Sequence, residues 1–201
     1  LKRGDVEAAL AAFKLDQATS ASKQVARLNF ASLYSDRISA QDNFQQHRDS
    51  AGLLASEVEA IAHWNNDVNP DRRLRLGYVS ADLHRQHPVD IYMQPVFEAH
   101  DRSGFHVTIY YNGVGYDDRT RRAKSVADRW VEVQGWPDER LMRQIENDAI
   151  DILIDLSGHT ARNRLTLFAR HPAPVQLSMV AYPHTTGLEA MDYLLGDPVL
   201  T

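Results

Sequence analysis

Four loops of this 201-residue chain carry the side chains that could move protons or hold hydroxyl groups. The first spans 80–89 and contains Asp82, His84, His87 and Pro88. An imidazole changes charge near neutral pH, so His87 can take up a proton or donate a hydrogen bond to a phosphate or hydroxyl. Pro88 behind it favours an extended or turn backbone at His87. On these residues alone, a solvated loop histidine is the favoured reading. His84 and His87 also form a His-x-x-His pair, a spacing that suits two metal ligands. No carboxylate or third histidine completes a ligand set at recognisable spacing, so no metal site is expected.

The second loop, 157–163, follows Asp155 and Leu156 and contains Gly158, His159 and Thr160. Gly158 lets the chain turn sharply, which sends His159 over the edge of whatever precedes it. A helix start nearby favours an anionic group. A plain capping turn on Thr160 or Asn163 reads the same residues without a ligand. The third loop, 181–187, holds Ala181, Tyr182, Pro183, His184, Thr185 and Gly187. It suits a sugar held by hydroxyls and backbone, or an ordinary turn. The fourth, 111–118, is glycine-rich around Gly113 and Gly115. It lacks the spacing of a dinucleotide fingerprint and reads as a flexible turn. No Asp-x-Asp and no triphosphate-binding loop appears in the sequence.

The elements that position these loops are legible from periodicity. Each loop follows an apolar run of strand type: 74–80, 105–111, 150–156 and 175–180. A shorter run at 130–133 and a weak one at 193–197 make six. Helical patterns at 91–99, 119–128, 138–147 and 162–170 lie between them. Strands alternating with helices of this length imply an α/β fold with a parallel sheet, whose ligands sit beyond the carboxyl ends of the strands. The first ~70 residues differ in kind. Val6, Ala9, Leu10 and Phe13 fall at helix spacing behind an Asp5 cap, and Val25, Leu28, Ala31 and Leu33 make a second helix. A third starts near Ser39 and carries Phe44, His47, Leu53, Leu54, Val58 and Ile61. The charged, Pro-containing stretch 69–73 reads as a linker.

Composition bounds the remainder. The chain is 43% hydrophobic and 24% charged, with formal charge −5 and no cysteine. Net negative charge argues against a nucleic-acid partner held by electrostatics. The absence of cysteine excludes disulfides, thiolate metal sites and a Cys nucleophile, and fits a reducing, cytoplasmic setting. No apolar run approaches the ~20 residues needed to cross a bilayer. The chain begins at Leu1 inside helical periodicity and ends at Thr201 just after an apolar segment, so it reads as a piece of something longer.

Blocks across residues ~70–200 resemble the catalytic region of the protein O-linked N-acetylglucosamine transferases, the bacterial branch above all. They include 74–82, His87-Pro88, 151–160 with Asn163 and Arg164, 167–176, Tyr182-Pro183 with Thr185 and Gly187, and Met191-Asp192-Tyr193. Residues 4–18 resemble the second half of a tetratricopeptide repeat. The resemblance implies a helical region over 1–68 and a Rossmann-like N-terminal lobe of a two-lobed GT-B glycosyltransferase over 69–201. It implies transfer of N-acetylglucosamine from UDP-N-acetylglucosamine to Ser or Thr hydroxyls of proteins, inverting and metal-independent, with no cofactor beyond the donor. His87 and Asp82 are then the candidate catalytic residues. Pro88, His159, Ala181, Tyr182, Pro183 and Thr185 are the candidate substrate-binding residues.

The implied partners are protein or peptide acceptors, a nucleotide sugar and a C-terminal lobe bearing most of the uridine diphosphate site. No nucleic acid or membrane partner is implied, and the isolated chain is expected to be inactive. Three departures from the family pattern stand out. The stretch from Asp82 to His87 is one residue longer than in the animal enzymes. Ala181 and His184 replace glycines, and the second lobe is absent. Two other readings remain open: a two-lobed transferase with another nucleotide sugar, and a non-enzymatic repeat-containing scaffold.

Overall fold

The computed structural model describes residues 4–16, 20–85, 87–179 and 181–196. Three helices come first: α1 (Val6–Leu15), α2 (Ala21–Ser32) and α3 (Ala40–Ser56). The expected caps form, with Asp5 accepting from the Ala8 amide at 2.9 Å and Ser39 from the Asp42 amide at 3.1 Å. Such a bond satisfies an amide that has no partner inside its own helix.

The third helix stops at Ser56, before Val58 and Ile61, because the chain beyond it finds other partners. The Ile61 amide bonds the Arg170 carbonyl at 2.7 Å, and the Trp64 indole donates to the His171 carbonyl at 3.0 Å. Asn66 and Arg72 both bond the Asp151 carboxylate at 2.7 Å. The stretch expected as a linker is therefore clipped along the sheet's lower edge rather than loose.

Six strands follow: β1 (Leu74–Ser80), β2 (Phe105–Tyr111), β3 (Arg129–Glu132), β4 (Ile152–Asp155), β5 (Val175–Met179) and β6 (Tyr193–Leu195). All pair in parallel, in the order β3-β2-β1-β4-β5-β6. The chain builds outward from β1 to β3, then returns to β1's other side to lay down β4. That reversal makes the gap between the ends of β1 and β4 the crevice where doubly wound sheets place ligands.

The intervening helices are α4 (Pro88–Ala99), α5 (Asp118–Val126), α6 (Asp138–Asn147) and α7 (Leu165–Ala169). α4 starts three residues earlier than its apolar period suggests, because Pro88 suits the first helical position and His87 caps it. α7 is shorter than expected because Arg162 takes a left-handed backbone, with φ 60°, and breaks helical continuity.

Alternation along the strands divides the core into two layers. Tyr78, Ile109 and Ile154 face Val89, Met93 and Phe97 of α4 and Ala123 of α5. Val79, Tyr110 and Leu153 face Leu141 and Ile145 of α6 and Phe168 of α7. Val25 of α2 and Ala51 and Leu54 of α3 join that second layer, so the helical front shares a core with the sheet.

Candidate functional site

β1 delivers the first loop to the crevice. Ser80 Oγ accepts from the Asp82 amide at 3.1 Å, which turns the chain out of the strand. The Asp82 carboxylate then lies 3.8 Å from His87 Nε2 and 3.9 Å from His84 Nε2. Asp82 is only 6% exposed, and its carboxylate accepts no hydrogen bond among the described residues. Burial raises its pKa, while His87, His84 and Arg162 pull it back part of the way.

His87 is held by its own helix. Its carbonyl accepts from the Asp90 and Ile91 amides, and its Nδ1 accepts from the Val89 N–H at 3.3 Å. An Nδ1 that accepts leaves the proton of the neutral ring on Nε2, the nitrogen nearer Asp82. Pro88 is exposed at the first position of α4, where a missing amide costs nothing.

The glycine-rich stretch expected as a flexible turn is instead the brace of this loop. Asp117 caps α5 through the Arg119 and Thr120 amides, and its other oxygen accepts from the Arg85 amide at 2.7 Å. These amides hold its carboxyl down to about 2, the Arg85 bond first. Thr120 Oγ1 donates to the Leu83 carbonyl at 2.8 Å, and Asp118 pairs with the Arg85 guanidinium. Nothing in local composition announces this, because both partners lie some thirty residues apart.

The second loop is shaped by a buried carboxylate. Asp155, pushed up to about 6 by burial, accepts from the Ser157 and Gly158 amides at 3.0 and 2.8 Å and from Ser178 Oγ at 3.1 Å. Gly158 sits at φ 53°, and a Cβ there would lie 2.2 Å from Tyr182 Cβ, so only glycine fits. Further on, the Arg162 carbonyl accepts from Asn112 Nδ2 at 2.8 Å, and Asn112 Oδ1 accepts from Arg164 at 2.8 Å. This fixes Arg162 beside Asp82, a neighbour that sequence spacing did not suggest.

His159 and Tyr182 are buried, 2% and 4% exposed, and both turn toward the helical front. His159 Nε2 lies 2.9 Å from the Thr186 carbonyl and 3.2 Å from Asn29 of α2. His47 Nδ1 donates to the Asn43 carbonyl at 2.7 Å, which leaves Nε2 to accept from the Tyr182 hydroxyl at 2.6 Å. His184 stacks on His47 with ring centroids 4.5 Å apart. Burial drives His47 down to about 4 and His159 to about 3, so both are neutral at pH 7.

Tyr182, His47 and His159 thus clamp α3 to the loop after β5. Ala181 is half-buried and bonds the Met179 carbonyl, Pro183 is exposed, and Thr185 Oγ1 accepts from the Gly187 amide at 3.0 Å. His47 went unnoticed in sequence except as a helix-face residue, because its partner lies 135 positions away. Among the described residues no group of three His, Asp or Glu is arranged to hold a metal ion. No helix among them is long and apolar enough to cross a membrane.

Comparison with known proteins fits this geometry. The family described as Glycosyl transferase family 41 matches residues 54–201. A probable UDP-N-acetylglucosamine–peptide N-acetylglucosaminyltransferase SPINDLY of Petunia hybrida is 34% identical over 158 residues, 77% of this chain and 17% of that protein. The SEC protein of Arabidopsis thaliana, described as the same type of probable transferase, is 37% identical over 129 residues, 63% of this chain and 13% of that protein. The chain therefore spans less than a fifth of these curated relatives. A solved structure of a Thermobaculum terrenum O-GlcNAc transferase mutant superposes with a TM-score of 0.90 at 38% identity, covering 96% of this chain and 38% of that one. A family match over most of the chain, with relatives and a structure that agree with it, means that this chain belongs to glycosyl transferase family 41.

Proposed function

We propose that this chain is the acceptor-side lobe of a two-lobed GT-B transferase. It moves N-acetylglucosamine from UDP-N-acetylglucosamine to Ser or Thr hydroxyls of proteins. One observation carries the reading in a family 41 chain: a buried carboxylate, Asp82, with a raised pKa, 3.8 Å from His87 Nε2 in the crevice between β1 and β4.

Transfer requires that the acceptor O–H bond break as its oxygen bonds the anomeric carbon. The bond from that carbon to the phosphate oxygen breaks in the same displacement, and UDP leaves with the electron pair, which inverts the centre. The proton goes to a base, and a carboxylate whose pKa is raised toward neutrality is a better proton acceptor than an ordinary one. Asp82 takes that role. His87, with Nδ1 occupied by the Val89 amide, presents Nε2–H to hold Asp82 or a substrate oxygen.

Pro88 fixes His87 at the start of α4. Ala181, Pro183 and Thr185 offer backbone and hydroxyl groups to the sugar, while Tyr182 and His159 hold that loop in place from below. The diphosphate charge is met chiefly by basic groups and helix N-termini of a second lobe, with no metal or cofactor required. α1 to α3 would be the end of a tetratricopeptide array that brings protein acceptors to the crevice, in a cytoplasmic enzyme.

The test is UDP release and mass-spectrometric detection of the modified acceptor, using the full-length protein with a panel of nucleotide sugars. Release from UDP-N-acetylglucosamine that is lost in Asp82→Asn supports the reading. Release only from another nucleotide sugar moves the donor, and release from none overturns the transferase.

A further inference from the structure

A second concavity adjoins the crevice and has no part in the proton transfer above. It encloses about 600 Å³ between α2 and the loop after β4, and its walls include Lys23, Arg27, Phe30, His159, Thr160 and Arg162. That volume is within the range of ligand pockets, roughly 300–1,000 Å³. The chain as a whole carries formal charge −5, yet three cations and no carboxylate line this space. Arg27 is already matched by Asp16 at 3.0 Å. No salt bridge forms at Lys23 among the described residues, and the charge of Arg162 is shared with the Asp82 carboxylate behind the cavity wall.

Arg162 links the two spaces. It lines the cavity and is also close enough to Asp82 to lower that carboxyl's pKa. Its left-handed backbone, φ 60°, is a conformation that a residue with a Cβ adopts at a cost. Asn112 holds it there through the carbonyl, and the residue lines the wall between the crevice and the cavity. A chain whose hydroxyl lay at Asp82 would continue past Arg162 toward Lys23 on the helical front. Phe30 gives the apolar contact that a peptide side chain needs.

From this we infer that the cavity between α2 and the loop after β4 is an acceptor subsite that selects acidic residues flanking the modified Ser or Thr, through Lys23 and Arg162. The inference rests on the transferase reading and adds a substrate preference to it. Exposed ion pairs are individually weak and screened by salt, so the preference is graded rather than absolute.

The experiment uses the full-length protein and fluorescent Ser peptides with Asp/Glu or Lys/Arg flanks, together with Ser→Ala versions that bind without reacting. Fluorescence anisotropy at low salt should show the acidic Ala peptide binding about tenfold tighter than the basic one, with the gap closing as salt rises. Lys23→Glu with Arg162→Glu should reverse the order. If that pair unfolds the protein, as circular dichroism would reveal, Lys23→Gln alone on the exposed face of α2 should still narrow the gap. Equal binding of the two peptides, or a preference unchanged by the Lys23 variants, overturns the subsite. UDP release from the donor is measured in parallel. An acidic preference without any release sinks the transferase reading and leaves the charge-selective cavity standing, whereas release without charge preference does the reverse.

Discussion

At the scale of single residues, the chemistry turns on which nitrogen of His87 carries a proton. The Val89 amide occupies Nδ1, so in the proposed reaction the ring serves better as a donor through Nε2 than as a base, and Asp82 accepts the proton. His87→Asn keeps an N-cap acceptor while removing the imidazole. It should keep the thermal midpoint within a few degrees and lower kcat by about tenfold to a hundredfold, less than loss of Asp82 does. A larger loss in His87→Asn than in Asp82→Asn would contradict the assignment of the base to Asp82. His87 draws notice in the sequence by its place after a strand end and before a proline, whereas Asp82 enters only through the family resemblance. Arg162, Asn112 and His47 were not legible there, since each acquires its meaning from a neighbour fifty or more positions away.

At the scale of elements, the site depends on braces that carry no chemistry. Asp117 caps α5 and grips the Arg85 amide with one carboxylate, so the loop bearing Asp82 is fixed by a helix on the far side of β2. Asp117→Ala should destabilise the fold, because the first amides of α5 lose their cap. It should also lower kcat more than it raises KM, because Asp82 loses its placement while the peptide contacts remain. Kinetics of the full-length variant together with urea unfolding would check both, and unchanged kcat would show that the brace is only structural. The strand centres were readable from apolar runs, and both ends of β3 and of β4 differ by a residue or two from the expected runs, while the expected ends at 180 and 197 lie outside the described residues. Helix ends were less readable. α3 stops and α7 starts late where tertiary partners take over: the Arg170 carbonyl for the chain after α3, and Asn112 at Arg162 before α7.

At the scale of the whole molecule, the helical front and the sheet are one body joined by buried histidines. His47 and His159 have folded-state pKa values of about 4 and 3, below the ordinary 6.5 that they regain on unfolding. The unfolded chain therefore binds protons first as pH falls. Their contribution is intact above about 6.5 and is lost progressively toward pH 4. Asp155, raised from 3.8 to about 6, acts in the opposite sense between those two values, and its single shift is smaller than the two histidine shifts combined. The thermal midpoint should fall between pH 7 and pH 5, and it should fall less steeply in His47→Gln, where one of the two protonation sites is gone. A slope identical to that of the unaltered protein would mean that His47 is not part of the acid response. Sequence periodicity separated helices from sheet correctly, yet it could not reveal that Val25, Ala51 and Leu54 enter the same core as Leu153 and Phe168. Shared burial depends on packing across the chain and leaves no local signature.

The measurement that bears most directly on this account is the pH dependence of kcat/KM for N-acetylglucosamine transfer by the full-length protein, with and without Asp82→Asn. A base with a raised pKa should give a rate that climbs with pH through a value above the usual carboxylate range. Asp82→Asn should remove that limb and lower the rate by about a hundredfold to ten-thousandfold. A limb that persists in Asp82→Asn, with the rate little changed, would contradict the assignment and place the proton on another group.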